Sequence, residues 1–295
     1  MKILHIWDQA GVACILAKYQ RQQGHSSSVL RVKDQDKYGI NAFYRELIMF
    51  SSEQDFIQRS LKEASTADLI HVHSRIDVIA PIREKFGRTK KIILHYHGTD
   101  IRGLDSPTVY QNRSHLSNII PILKKFIRRR SEWTQRHRRA QLLADATLVS
   151  TPDLLKLVKV AKYLPNPVDT DHFKPDKTDS SKGNKALTIR SEVTDIQWAL
   201  DYCKRNNINL DIETYDRTQH PLMYQDMPGF LRRYDIYVDI RYVNGRILEN
   251  LSKSALESLA SGLEVLDYRL EYRRGLPREH NPPIVVSKLS EIYFL

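Results

Sequence analysis

The chain has 295 residues, of which 41% are hydrophobic and 27% charged, as in an ordinary globular protein. Its formal net charge of +11 and its pI near 9.5 favour acidic partners: nucleotide phosphates, an anionic membrane surface or nucleic acid. Two distant cysteines, Cys14 and Cys203, argue against a disulfide framework or a cysteine zinc site. The chain also has no apolar stretch typical of a signal peptide or a transmembrane helix. We therefore expect a cytoplasmic protein.

Strands and helices alternate through the first half of the chain. It opens with a strand, a turn that ends at Gly11, a helix and a second strand, which is the βαβ start of a parallel sheet. Ser52 and Asp55 have the spacing of a capping box at the start of a helix. Further strands are predicted at 67–73, 91–96 and 144–150, and a helix at 75–86. The Gly-x-Gly-x-x-Gly pattern of dinucleotide-binding proteins is absent.

Two residues of this half are candidates for a ligand site. His97 follows the strand at 91–96, and ligands of open α/β sheets bind at the carboxyl ends of parallel strands. Gly11 lies in the first strand-to-helix turn, where a residue without a side chain lets a ligand approach the backbone. The plainer interpretations are a hydrogen-bonded loop histidine and an ordinary turn glycine.

A basic segment at 114–139 has apolar residues at helical spacing and a crowd of lysines and arginines around Trp133. Such a helix is typical of proteins that bind a membrane surface or a phosphate-rich partner. The alternative is a solvated charged face whose apolar stripe packs on the rest of the protein.

The second half repeats the alternation after a polar stretch at 176–185. We predict an N-terminal α/β domain at 1–166 and a smaller C-terminal α/β domain at 167–295, with a cleft between them. Strands are predicted at 186–190, 209–214, 235–239, 263–267 and 283–286, and helices at 194–205 and 227–233.

The stretch from Glu249 to Glu257 carries two carboxylates eight positions apart. Residues 251–261 predict a short helix that ends at Gly262. Lys253 and Ser254 stand in its first turn, and a helix N-terminus with such groups is suited to bind an anion. In isolation, two glutamates at this spacing are common by chance.

Several motifs, taken in order, resemble the family-four retaining glycosyltransferases of the GT-B fold. They are the Gly11 turn, the segment from His95 to Asp100, the segment at 149–152, the segment at 164–173 with its Leu-Pro-Asn-Pro-Val-Asp motif, and the stretch from Glu249 to Gly262. The resemblance spans nearly the whole chain and implies two Rossmann-like domains around a central cleft. It also implies that residues 1–166 form the acceptor-side domain and residues 167–295 the nucleotide-sugar-binding domain.

The resemblance also implies roles for single residues. Glu257 corresponds to the glutamate that binds the donor ribose, Glu249 to the one beside the transferred sugar, and His97 to the histidine that reaches this sugar from the first domain. Gly11 corresponds to the glycine loop near the phosphates. No metal or other cofactor is implied, because basic side chains and helix amides hold the diphosphate.

The chain departs from the family pattern at the diphosphate. Arg190 stands where the family has an arginine, but the lysine that should follow is missing, and Lys253 is a candidate to replace it. The glycines after the first motif glutamate are also absent. The chain ends soon after the predicted strand at 283–286, so we expect it to lack the family's C-terminal helix that packs back on the first domain.

The function that this resemblance implies is sugar transfer, with retention, from a UDP- or GDP-sugar. The acceptor is expected to be a glycan, a lipid-linked precursor or a protein, with the segment at 114–139 on an anionic membrane surface; nucleic acid is not expected as a partner. Three alternatives remain: a nucleotide-sugar epimerase, a basic protein that binds nucleic acid or modifies DNA, and a sugar-nucleotide binder without catalysis.

Overall fold

A computed structural model describes residues 1–8, 10–102, 132–175, 183–190, 195–217, 219–243 and 246–293. Within these ranges the chain forms two main sheets. The strands are β1 (Lys2–Ile6), β2 (Ser26–Val32), β3 (Ile48–Ser51), β4 (Leu69–His73), β5 (Lys91–Tyr96), β6 (Ala146–Val149), β7 (Lys162–Tyr163), β8 (Lys185–Arg190), β9 (Asp211–Asp216), β10 (Ile236–Val238), β11 (Tyr242–Val243), β12 (Arg246–Ile247), β13 (Glu264–Leu266) and β14 (Tyr272–Arg273).

Helices connect most of these strands. They are α1 (Val12–Gln22), α2 (Ile40–Phe43), α3 (Phe56–Thr66), α4 (Ile79–Phe86), α5 (Thr99–Arg102), α6 (132–143), α7 (Ile196–Arg205), α8 (Met227–Leu231), α9 (Lys253–Ala260) and α10 (Pro282–Tyr293). None of the helices in the described ranges is long and apolar enough to cross a membrane.

The order of strands creates two places where a ligand is expected. The first sheet is parallel with the order β3-β2-β1-β4-β5-β6-β7, so the chain reverses its direction of winding between β1 and β4. The second has the order β14-β13-β10-β8-β9, with β14 antiparallel, and reverses between β8 and β10. Ligands of such sheets bind beyond the carboxyl ends of the strands at these reversals.

One hydrophobic core runs through both sheets. It joins Ile3 and Ile93 of the first sheet to Leu187 and Val265 of the second, with α1, α9 and α10 between them. A second core covers the other face of the first sheet, and a third lies under α7. The alternation of side chains along β1, β4 and β5 divides their residues between the first two cores.

The α/β fold class is confirmed, and the described part of the chain has seven strands in the first sheet and five in the second. The strands of the first sheet lie within residues 2–163 and those of the second within residues 185–273. The domain boundary at 166/167 falls between these two ranges and stays a prediction. Residues 114–131 of the predicted basic helix lie outside the described residues. The rest belongs to α6, where Trp133 is half-buried against the second core while Arg136 and Arg138 are exposed.

The predicted strand at 283–286 is wrong, because these residues lie inside helix α10. The run Pro-Ile-Val-Val is apolar on every side, and a short run of this kind does not distinguish a buried strand from a buried helix. The helix packs against α1, and the Gln20 amide donates to the Tyr293 hydroxyl at 2.8 Å. The expectation that no C-terminal helix returns to the first domain is therefore also wrong.

Candidate functional site

A cleft of about 1150 Å³ lies where the two strand reversals face each other. The first sheet contributes Trp7 and Asp8, which follow β1, and the second contributes Arg190 of β8 and Asp239, which follows β10. Both sides of the cleft are therefore formed by carboxyl ends of strands, as the topology predicts.

The cleft carries an excess of positive charge. Eight of its lining residues are lysine or arginine and five are aspartate or glutamate. The basic ones come from both sides and are Arg31, Lys33, Lys37, Arg102, Arg190, Arg217, Arg241 and Lys253. A concave surface with this balance attracts anionic ligands such as phosphates.

The buried Glu257 and the half-buried Lys253 form a pair in the cleft. Glu257 is 4% exposed, and its Oε1 lies 3.6 Å from Lys253 Nζ. The ammonium also donates to the Pro167 carbonyl at 2.5 Å, which ties α9 to the segment between the sheets. Burial raises the pKa of the Glu257 carboxyl, an effect that Lys253 and Arg217 oppose, and burial lowers the pKa of the Lys253 ammonium. The pair thus presents a poorly solvated carboxylate to any ligand in the cleft.

Helix α9 begins at the cleft because its first turn is capped locally. The Ser252 hydroxyl accepts from the Ala255 amide at 3.0 Å, and the Ser252 amide donates to the Asp239 carboxylate at 2.7 Å. Ser254 is half-buried and lines the cleft beside Lys253. The positive end of the helix dipole therefore faces the cavity.

Three other predicted residues are less central. Arg190 lines the cleft but is exposed and lies 3.2 Å from the Asp216 carboxylate. Glu249 is exposed and does not line the cleft, although Leu248 and Asn250 on either side of it do. Gly11 precedes α1 with φ +82°, and its amide donates to the Asp8 carboxylate at 3.1 Å.

Six of the eight basic residues that line the cleft were not predicted as site residues, and two of these six, Arg217 and Arg241, lie in the second sheet's half of the cleft, as Glu257 does. Arg217 lies over the ring of Tyr38 at 4.0 Å, close enough to Glu257 to oppose the rise in its pKa, and its buried Nε has no hydrogen-bond partner. The Arg241 Nε lies 3.1 Å from the Asp239 carboxylate. Both follow strands of the second sheet by one to three residues, which is the only sequence signal for them.

His97 is half-buried on the opposite side of the cleft, from the first sheet. It ends a row of five histidines, the histidine cluster, whose side chains project from β1, β4 and the end of β5. The members are His5, His71, His73, His95 and His97. Neighbouring strands place His5 beside His71 and His73 beside His95.

A chain of hydrogen bonds runs from the cleft through this cluster. The Gln20 Oε1 can only accept, so His5 Nε2 donates to it at 2.8 Å. His5 Nδ1 then accepts from His73 Nε2 at 3.0 Å, and His73 Nδ1 accepts from His97 Nε2 at 2.9 Å. In each of these three hydrogen bonds, the donating Nε2–H points away from the cleft.

Burial keeps these imidazoles neutral. It lowers the pKa of His5 to about 4, and it lowers the pKa of His71, His73 and His95 well below 6.5, with their imidazole neighbours acting in the same direction. Burial also lowers the pKa of His97, against the effects of Asp100, Asp8 and Asn166.

Buried polar contacts hold the two sides of the cleft together. The Tyr44 hydroxyl donates to the fully buried Asp169 carboxylate at 2.7 Å and lies 3.1 Å from the Tyr224 hydroxyl. Lys18 of α1 forms an ion pair with Asp169, also at 2.7 Å. Tyr44 precedes β3, whereas Tyr224 lies between β9 and β10, so the contact crosses from one sheet to the other.

No protein-family model matches the sequence, and no curated protein matches it either. Similar solved structures include Anabaena HepE in complex with UDP-glucose, with a TM-score of 0.53, 11% identity, and coverage of 99% of this chain and 90% of that chain. An α-glucosyltransferase in complex with UDP and a 13-mer DNA containing an HMU base has a TM-score of 0.54, 9% identity, and coverage of 98% and 89%. The chain thus has the GT-B fold of these proteins; membership of family four stays a prediction.

Proposed function

We propose that this protein is a glycosyltransferase that moves a sugar from a nucleotide diphosphate sugar to an acceptor. The observation that carries the proposal is the buried Glu257 carboxylate beside Lys253 at the strand reversal of the second sheet. A carboxylate accepts hydrogen bonds from vicinal ribose hydroxyls, and the cationic cleft next to it suits a diphosphate. Similar solved structures with bound UDP or UDP-glucose support the same ligand class.

The diphosphate would lie between α9 and the basic residues of the second sheet. Lys253 and the start of α9 take the middle of the site, in place of the missing lysine, and Arg217 and Arg241 flank it. Departure of the nucleoside diphosphate leaves negative charge on phosphate oxygens while the sugar gains oxocarbenium character. Fixed positive groups that stabilise this charge are the main catalytic contribution.

His97 faces this site from the first sheet, and we propose that it binds the transferred sugar. Glu249 is proposed to act on the same sugar, with retention of configuration, as the sequence motif implies. Its exposed side chain does not reach the cleft here, so this role needs a movement of the segment between β12 and α9. We also propose that basic side chains and helix amides hold the diphosphate of the donor without a metal ion.

A thermal-unfolding series tests the donor site. UDP, GDP, UDP-glucose and GDP-mannose are added separately to the chain. A ligand at about 100 times its Kd stabilises the native state by about 2.7 kcal/mol, which shifts the Tm measurably. We expect a shift with at least one of them and its loss in Glu257→Ala. If none of the four nucleotides shifts the Tm, the transferase proposal fails.

Two further measurements separate transfer from its alternatives. An epimerase converts the sugar of its donor when no acceptor is present, so product analysis of the donor alone identifies it. A binder without catalysis shows the thermal shift but releases no nucleoside diphosphate when acceptors are supplied. A transferase gives product only when donor and acceptor are both present.

DNA is a second candidate acceptor, in place of a lipid-linked glycan. The net charge of +11 favours a polyanion, and the similar α-glucosyltransferase was solved with DNA. Trp133, the tryptophan of the basic segment at 114–139, is half-buried against the core of the first sheet, so it is only partly available to a membrane surface. Binding to duplex DNA with a steep salt dependence, without binding to anionic vesicles, would favour the DNA acceptor; the reverse result would favour the membrane.

A further inference from the structure

The histidine cluster contains polar atoms that the fold leaves without partners. Both ring nitrogens of His71 and both of His95 are buried without a hydrogen bond, and neither residue is exposed at all. A buried polar atom without a partner is a substantial cost to the folded state. Leucine or isoleucine would fill the same positions without this cost, so the imidazoles point to a ligand.

We propose that His73, His95 and His97 bind a divalent transition-metal ion of the Zn²⁺ class. One ring nitrogen of each lies within 4.8 Å of the others, and His73 Nδ1 is 2.9 Å from His97 Nε2. Imidazoles bind Zn²⁺ at about 2.0–2.1 Å, which places the nitrogens of a tetrahedral site about 3.3 Å apart. Small rotations of the three rings bring them to that separation.

The triad of His73, His95 and His97, called the outer triad, lies next to the cleft, which gives the ion a route to it. His97 lines the cleft, whereas His5, His71 and His73, which are also close enough to share an ion, are all fully buried. An ion reaching the outer triad also finds room for a fourth ligand on the cleft side, since three histidines leave one tetrahedral position open.

The rest of the cluster orients His73 as a metal ligand. With Nδ1 on the ion, its Nε2–H donates to His5 Nδ1, and His5 donates in turn to the Gln20 amide oxygen. A hydrogen bond to the outer nitrogen of a ligating histidine sets its tautomer and raises its basicity. The two carboxylates of Asp8 and Asp100, which act on His97, supply negative charge near the ion.

Binding requires no net loss of protons from the cluster. The proton on His97 Nε2, which is donated to His73 in the free protein, moves to His97 Nδ1, and the ion takes its place between the two rings. The imidazoles are neutral before and after, as metal ligation demands. The expected metal-free handling of the diphosphate is a separate matter, because the ion lies in the first sheet, across the cleft from Glu257; His97, the proposed contact of the transferred sugar, is the one residue that the two proposals share.

The test is a Co²⁺ and Zn²⁺ titration of the full chain after dialysis against EDTA, with no nucleotide present. Co²⁺ binding is followed by its visible d–d absorption and Zn²⁺ binding by calorimetry. We expect one equivalent of either ion, with Zn²⁺ displacing Co²⁺. His95→Leu should weaken binding by at least about 100-fold, since it removes a direct ligand.

His71→Leu is the matched control. It removes a second unpartnered, fully buried imidazole from the same sheet, so any general effect on folding is shared, but it leaves the outer triad intact. We expect it to bind metal like the unmodified chain. The proposal is overturned if the unmodified chain binds less than one equivalent, if His95→Leu binds normally, or if binding is lost in His71→Leu and kept in His95→Leu. These metal titrations contain no nucleotide, so their results do not depend on the proposed donor site. The thermal-unfolding series with nucleotides tests that site separately.

Discussion

Replacement of Glu257 by glutamine tests the centre of the proposed donor site. The carboxylate is 4% exposed and lies 3.6 Å from the Lys253 ammonium. Glutamine keeps the shape of the side chain and one oxygen, but it removes the negative charge that ribose hydroxyls would share. The substitution therefore separates the charge of this residue from its packing.

The expected loss follows from the strength of hydrogen bonds to a charged group. Such a bond contributes about 1.5–3 kcal/mol, which corresponds to about 10- to 150-fold in Kd. Calorimetric titration with UDP at neutral pH measures it. Glu271→Gln is the matched control, because Glu271 is exposed at the edge of the second sheet and does not line the cleft. Thermal unfolding of both variants checks that each is folded at the temperature of the titration.

The pH dependence provides an independent check. Burial raises the pKa of Glu257 above the ordinary 4.5, so the carboxylate gains its proton at a higher pH than an exposed glutamate does. UDP affinity should therefore fall as the pH is lowered through this raised pKa, and the glutamine variant should show no such fall. Equal affinities for Glu257→Gln and the unmodified chain at neutral pH, or identical pH profiles, would refute the reasoning.

Three further predictions concern stability, measured by urea unfolding. Tyr44→Phe removes a donor to the buried Asp169 carboxylate and should cost about 1–3 kcal/mol; a loss below about 0.5 kcal/mol would contradict this. The pKa of His137 is about 4 in the folded chain, against 6.5 ordinarily, so the free energy of unfolding should fall as the pH drops below 6.5, by about 2 kcal/mol near pH 5. His137→Gln should lose this part of the pH dependence of stability, and an unchanged pH dependence would disprove the prediction. Gly262→Ala, at φ +96° with its new Cβ 3.2 Å from a proline, should cost about 1–3 kcal/mol. Gly229→Ala, whose new Cβ meets open space inside helix α8, should instead stabilise the chain by about 0.4–1 kcal/mol; equal costs for the two variants would rule out strain as the cause.

Local sequence signals predicted the elements whose ends are set by neighbouring residues. Ser52 and Asp55 do cap the turn before α3: the Ser52 hydroxyl accepts from the Asp55 amide at 3.0 Å and donates to its carboxylate. The helix predicted at 251–261 is found at Lys253–Ala260, because Ser252 caps it. These contacts span at most three residues, so the sequence contains nearly all the information they need.

Distant contacts were not predicted, because they depend on strand register and on the packing of separate elements. The histidines of β4 and β5 stand two apart in the sequence, which shows that each pair shares a face, but only the pairing of the strands brings the pairs together. Arg217 reaches the cleft from a loop with no motif. The helix α10 is stabilised by its contact with α1, more than 250 residues away, as the 2.8 Å bond between Gln20 and Tyr293 shows.

The contact between α1 and α10 also bears on how the molecule unfolds. Helix α1 belongs to the first βαβ unit, yet Ile15 and Leu16 share one continuous core with Val286 and Leu289 of α10 and with strands of the second sheet. Melting of the smaller half alone would expose this apolar surface on α1 to water and destabilise the larger half as well. We therefore predict that the two halves unfold together in one transition, which two different spectroscopic probes would report as coincident unfolding curves.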